Sequence, residues 1–164
     1  MTTDSRDETN AASAMHLNLQ NLPGHYARRI HQLAVALYTQ EVAKLNITPL
    51  QYSTLQTICN QPGIDQKTLA STVGSDTATI GGVIDRLEAR GLVVRNVAPH
   101  DRRARQITPT AEGLKTLAEV IPYMLESQRR LLAPLSPKDR KEFMRIMKAL
   151  VDSNAELSNR PAKE

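Results

Sequence analysis

Residues 65–91 read DQKTLASTVGSDTATIGGVIDRLEARG, and residues 92–110 continue as LVVRNVAPHDRRARQITPT. Asp65 offers a carboxylate to the free N–H groups that begin a helix, and Leu69, Ala70 and Val73 then recur at helical spacing. Gly74 ends that helix. Ser75-Asp76 restarts another over residues 77–90, closed by Gly91. Within it Ile80, Val83, Ile84 and Leu87 fall on one face, the pattern of a helix with one buried side. Two short helices joined by a glycine-containing turn make a helix-turn-helix. The β-branched run Leu92-Val93-Val94-Arg95-Asn96-Val97 predicts a strand. Pro99-His100-Asp101-Arg102-Arg103-Ala104 is polar and turn-like, and Arg105-Gln106-Ile107 returns as the second strand of a hairpin. Thr108-Pro109 reads as the cap of the next helix. Helix, turn, helix and charged hairpin, in that order, describe a winged helix.

The flanks are helical. Upstream, Tyr26, Ile30, Leu33, Leu37 and Val42 predict a long first helix over residues 23–45. Asn46-Ile47 breaks it, and Thr48-Pro49-Leu50-Gln51 opens a second helix with a capping box and a first-position proline, running to Cys59. Pro62-Gly63 marks a turn. Downstream, Leu114, Leu117, Ala118, Ile121 and Leu125 form an amphipathic stretch in which Pro122 predicts a kink. Ser136-Pro137-Lys138-Asp139 starts a last helix carrying Phe143, Ile146, Met147, Leu150 and Val151. The expected fold is mainly α: a winged helix-turn-helix with a small β-hairpin wing and long N- and C-terminal helices. Its organisation is a flexible tail (1–18), a helical region (19–46 with 110–153), a DNA-binding lobe (47–109) and a second flexible tail (154–164).

Composition narrows the function. A chain of 164 residues, 40% hydrophobic and 23% charged, fits one globular domain. One cysteine excludes an internal disulfide, and no apolar run reaches the roughly 18 residues of a membrane span. The polar start has no signal-peptide core. A soluble cytoplasmic protein is expected. Lys and Arg number 21 against 17 Asp and Glu, an excess that permits a polyanionic partner. Aromatic residues are only 3%, which argues against single-strand binding by base stacking. There is no phosphate-binding glycine loop, no His-Glu-x-x-His and no nucleophile elbow. His16, His25, His31 and His100 match no standard zinc spacing, so neither cofactor nor metal is expected. Cys59 reads as a small buried hydrophobe or a redox sensor.

Positive charge concentrates in the hairpin, where Arg95, Arg102, Arg103 and Arg105 face one Asp. A solvated hairpin tip and a DNA contact both suit such a cluster; its place directly after a helix-turn-helix favours double-stranded DNA. The second of the two short helices would be the recognition helix. Ser75, Thr77, Ala78 and Thr79 sit at its start, and Gly81, Gly82, Asp85 and Arg86 on its outer face. Hydroxyls bond phosphates or base edges, and Ala or a Thr methyl meets a thymine methyl. The glycine pair either lets DNA approach or accommodates a neighbouring helix. Asp85 suits an ion pair with a nearby Arg better than a DNA contact. On the first helix His25, Arg29 and Gln32 share one side, able to hold a small aromatic carboxylate if they border a cavity, or otherwise to form a solvated face.

These motifs resemble the multiple-antibiotic-resistance regulators, the MarR family. The resembling features are Leu22-Pro23-Gly24-His25 and Asn46-Ile47-Thr48-Pro49-Leu50-Gln51, then Asp85-Arg86-Leu87-Glu88-Ala89-Arg90-Gly91-Leu92-Val93, the wing triplet Asp101-Arg102-Arg103 and Thr108-Pro109-Thr110-Ala111-Glu112-Gly113. The match covers about residues 20–152. The resemblance implies a homodimer whose first helix and last two helices intertwine as the dimerisation region. It implies that Arg103 enters the minor groove with Asp101 orienting it, and that a small phenolic or aromatic carboxylate releases the DNA. The stretches 23–32 and 79–85 are most similar to the nicotinate-degradation repressor branch, which implies a hydroxylated pyridine carboxylate. Many relatives carry a polar residue and an Arg where this chain has Gly81-Gly82, so base reading by that Arg does not carry over. The peroxide-sensing branch has a Cys in its first helix and this chain does not, which counts against Cys59 as such a sensor.

The expected function is therefore a sequence-specific transcriptional regulator, a repressor, on an inverted repeat. Arg102 and Arg105 would contact phosphates. A ligand-independent architectural DNA binder and a winged helix used for protein contacts are the rival readings.

Overall fold

The computed structural model describes residues 18–98 and 101–154, with the side chains of Ala98 and of residues 101–104 outside that description. The elements are α1 (Pro23–Val42), α2 (Pro49–Asn60), α3 (Gln66–Val73), α4 (Thr77–Ala89), β1 (Val93–Ala98), β2 (Asp101–Pro109), α5 (Ala111–Leu131) and α6 (Pro137–Ser153). Short 3-10 turns precede and follow α1. The expected tails fall outside the described residues, apart from Asn18, which caps the first of those turns, and Asn154, which follows α6.

Local chemistry sets the helix starts. Thr48 accepts the Gln51 N–H while the Gln51 side chain accepts the Thr48 N–H, so the capping box at α2 is complete. Asp65 and Asp76 cap α3 and α4 in the same way: each carboxylate takes a backbone N–H and the hydroxyl of the Thr three residues on, Thr68 and Thr79. Gly74 closes α3 in the left-handed region, at φ +69.

The core lies in the lobe. Leu55 and Ile58 of α2, Leu69 of α3, Ile80, Val83, Ile84 and Leu87 of α4, and Val93 and Ile107 of the hairpin are all fully enclosed. Strands β1 and β2 are antiparallel, with Val93 opposite Pro109, Arg95 opposite Ile107 and an irregularity between Val97 and Ala98. Ile64, in the turn after α2, pairs with Ile107 as a one-residue third strand.

Two sequence expectations change. The second strand begins at Asp101 rather than Arg105, because Ala98 already pairs with Asp101. The Asp101-Arg102-Arg103 triplet therefore belongs to β2 and not to a broad loop. Thr108 does not cap α5: it pairs with Val94, and the cap is Thr110, whose hydroxyl accepts the Gly113 N–H. The helix α5 runs through Pro122 without interruption.

Helices α1 and α5 pack together as a stem, joined by Arg130, which donates to Glu41 and Gln40. The stem is less enclosed than the periodicity predicts. Tyr26 and Leu33 of α1, and Leu114 and Leu125 of α5, are exposed, and α6 buries nothing. Its Met144, Ile146, Met147, Leu150 and Val151 form an uncovered apolar stripe.

Candidate DNA interface

The four buried residues of α4 face the core, which turns the opposite side of the helix to solvent. Thr77, Ala78, Thr79, Asp85 and Arg86 are exposed there, and Ser75, Gly81 and Gly82 are half-buried. Thr79 gives its hydroxyl proton to Asp76 at 2.5 Å, so what remains for a ligand is its oxygen lone pairs and methyl group. The cap also holds the Asp76 carboxyl below the usual range, chiefly through the Thr79 hydroxyl and then the Thr79 N–H. Hydroxyls at a helix N-terminus suit an anion such as a phosphate.

The two glycines separate. A Cβ on Gly81 would lie 2.9 Å from the Nε2 of Gln66, which reaches across from α3 to donate to the Thr77 carbonyl. Gly81 thus makes room for a neighbouring helix. A Cβ on Gly82 would meet only the end of the Arg86 side chain, at 3.7 Å, so nothing among the described residues requires that glycine.

The wing's charge is also divided. Arg95, three-quarters enclosed, donates to Asp85 and to Glu88, each at 2.5 Å. Burial works against its charge, but the hydrogen bonds it donates to Asp85 and Glu88 outweigh that and push its pKa above the ordinary arginine value. The Asp85 ion pair was expected; that Arg95 would be its partner was not. Arg95 is therefore taken out of the hairpin's available positive charge. Arg105 is exposed on β2 opposite Val97. Asp101, Arg102 and Arg103 stand on β2, their side chains outside the described residues.

The proposed effector residues occupy the open end of α1. His25 is half-buried with its ring edge-on to Tyr26, and Arg29 and Gln32 are exposed. An apolar cleft exists elsewhere, lined by Thr39, Val42, Ala43, Asn46, Ile47, Thr48 and Pro49, about three turns further along. Sequence reasoning missed Tyr38 of α1 and Thr54 of α2, whose hydroxyls are buried without a hydrogen-bond partner among the described residues. Desolvation, and secondarily Tyr52, pushes the Tyr38 phenol well above its ordinary pKa. Cys59 is half-buried, and burial raises its thiol as well, away from the reactive thiolate. Among the described residues no group of His, Cys, Asp or Glu could hold a metal, and no helix is long and apolar enough to cross a membrane.

A profile of the MarR family matches residues 47–104, the lobe with its wing. Transcriptional regulator HosA of Escherichia coli O111:H- is 33% identical over 135 residues, covering 82% of this chain and 98% of HosA. The chain belongs to the MarR family. Two solved MarR-like structures share its fold closely. CouR, a transcriptional repressor bound to a 23-mer DNA duplex, has a TM-score of 0.77 and 28% identity over 81% of this chain and 94% of its own. BpsR of Bordetella bronchiseptica, whose DNA binding is regulated by 6-hydroxynicotinic acid, has a TM-score of 0.80 and 26% identity over 83% and 97%. The MarR fold thus accounts for the recognition helix and the hairpin, and its members here are transcriptional regulators.

Proposed function

We propose that this chain is a transcriptional repressor that binds an inverted repeat as a homodimer and leaves it on binding a small aromatic acid. The observation that carries the reading is the face of α4 turned away from the core: a helix N-terminus with free polar groups, an unobstructed Gly82, and an arginine-bearing hairpin beside it. Ser75, Thr77, Ala78, Thr79, Gly82 and Arg86 read the major groove. Arg102 and Arg105 bind phosphates, and Arg103, oriented by Asp101, enters the minor groove. Gly81, occupied by Gln66 on its inner side, contributes through the shape of the helix rather than by contact.

The homodimer is supported by the apolar stripe of α6 and the exposed apolar side chains of α1 and α5, a surface that suits a protein partner. A two-fold pair of recognition helices calls for half-sites about 10 bp apart, centre to centre. The effector is an aromatic carboxylate held by His25, Arg29 and Gln32 once a second copy covers that end of α1. The unpartnered hydroxyls of Tyr38 and Thr54 support a polar ligand between stem and lobe, since a buried hydroxyl without a partner costs about 1–3 kcal/mol. BpsR supports a hydroxylated nicotinate as the compound. The chain acts by binding, not by catalysis.

The test is selection of sites from a randomised duplex pool by the purified protein at near-physiological salt. Enrichment of an inverted repeat is expected. Enrichment of no sequence, with steeply salt-dependent binding, would mean an architectural binder, and no binding at low salt a protein-interaction module.

A further inference from the structure

Arg95 stands on β1, yet acceptors on α4 hold its whole fork. Its Nη2 donates to Asp85 Oδ1 at 2.5 Å and to the Gly81 carbonyl at 3.4 Å; its Nη1 donates to Glu88 Oε2 at 2.5 Å. The backbone N–H of Arg95 also donates to Glu88 Oε1, at 3.1 Å. Gly81, Asp85 and Glu88 lie four and then three residues apart, on one ridge of the recognition helix. A planar guanidinium holds two carboxylates in a fixed fork geometry, whereas an ammonium is a point charge with freely rotating donors. Across the ladder Arg95 is opposite Ile107, the residue that Ile64 pins to the lobe. The hairpin is thus fastened at one register position on both sides, by an ion-pair fork to α4 and by backbone bonds to the turn after α2. Beyond it, strand pairing loses its regular register between Val97 and Ala98.

We propose that Arg95 is a positioning residue for DNA recognition, fixing the angle between wing and recognition helix through Asp85 and Glu88 so that both engage one duplex together. The proposal rests on the DNA-binding reading above. It assigns Arg95 no phosphate. Its removal then affects the fit to the operator and not the count of released counterions.

The experiment measures binding of the full chain to its selected operator and to a random duplex across a salt series, with a thermal melt for each variant. Arg95→Met is expected to weaken operator binding by about tenfold or more, with the salt slope and random-duplex binding unchanged. Asp85→Asn and Glu88→Gln are expected to weaken operator binding too, although each makes the protein more positive. Arg95→Lys retains the charge and is expected to recover only part of the loss. The Asp85→Asn, Arg95→Met double variant should bind no worse than Arg95→Met alone. A salt slope that falls by about 0.9 in Arg95→Met would make Arg95 a phosphate contact and overturn the proposal. So would tighter operator binding by the two carboxamide variants, or wild-type affinity in Arg95→Met. Should Arg95→Met fail to fold, the carboxamide variants, which keep the side-chain shapes, decide by the same signs. Failure of the wild type to select any site would instead overturn the DNA-binding reading itself.

Discussion

A side chain on Gly113 would place its Cβ 2.0 Å from the carbonyl oxygen of Leu92. That carbonyl already accepts the Thr110 N–H, and the Thr110 hydroxyl donates to the Gly91 carbonyl at 2.6 Å. The first turn of α5 therefore sits directly on the turn that leaves the recognition helix. Stem and lobe meet at backbone, where no flexible side chain can yield. Gly113→Ala is expected to lower stability by about 1–3 kcal/mol through overpacking. Denaturant unfolding measures it, and wild-type stability would mean that α5 stands further from Leu92.

Arg105 and Arg103 differ in what their loss should do. On the proposed reading Arg105 binds a phosphate, so with Arg105→Ala operator and random duplex should both weaken and the salt slope should fall by about 0.9. On the same reading Arg103 enters the minor groove, so Arg103→Ala should weaken the operator more than random duplex while dimer and melting temperature hold. A large loss of stability in Arg103→Ala would make that residue structural instead.

The parts of this molecule that were legible in the sequence are those decided within a few residues. The Thr48–Gln51 box, the Asp65 cap, the Gly74 stop and the Ser136 cap each depend on neighbours three or four positions away, and each appears as read. The buried face of α4 was legible because Ile80, Val83, Ile84 and Leu87 repeat at the helical period. Strand limits were not. Thr108-Pro109-Thr110 offers two hydroxyls, and only pairing with Val94, distant in sequence, draws Thr108 into the ladder and leaves the cap to Thr110. Arg95 was counted with the wing charge because its partners lie on another element. The stripe on α6 has the right period, but periodicity names a face and not the chain that covers it.

Gly81 and Gly82 should separate on substitution. Gly82→Ala has room for its methyl and removes a mid-helix glycine, so it is expected to stabilise the protein by about 1 kcal/mol or less. Operator binding should nevertheless weaken if the helix backbone approaches DNA at that point. Gly81→Ala must push the Gln66 amide away from Thr77, losing that bond and cancelling much of the propensity gain. Unchanged operator affinity in Gly82→Ala would assign the glycine no part in DNA approach.

The caps of α3 and α4 give the lobe an acid limit. Asp65 and Asp76 are both held below the ordinary carboxyl range, first by the hydroxyls of Thr68 and Thr79 and next by the backbone N–H groups of the same residues. A carboxyl whose folded value is depressed contributes stability that is complete above its unfolded value, about pH 3.9, and is lost as pH falls through the lower folded value. Melting temperature is therefore expected to lose this contribution only below about pH 4. Asp76→Asn keeps a capping oxygen but no titrating proton, so its melting temperature should fall less steeply in that acid range than the wild type's. Equal slopes would mean that the Asp76 cap does not stabilise the folded lobe.

Arg29 tests the effector reading separately from DNA binding. It lies on α1, on the stem, away from α4 and the hairpin, and is exposed in one protomer. Its guanidinium can grip a carboxylate with two parallel hydrogen bonds only where a second surface excludes water. Arg29→Ala is therefore expected to bind the operator as the wild type does, yet to need more 6-hydroxynicotinate or a related aromatic acid for release. The shift should be about tenfold or more in the concentration that frees half the DNA, as for loss of a charge-assisted hydrogen bond. Release at the wild-type concentration would remove Arg29 from the pocket and leave Tyr38 and Thr54, whose buried hydroxyls have no partner among the described residues, as the candidate ligand contacts.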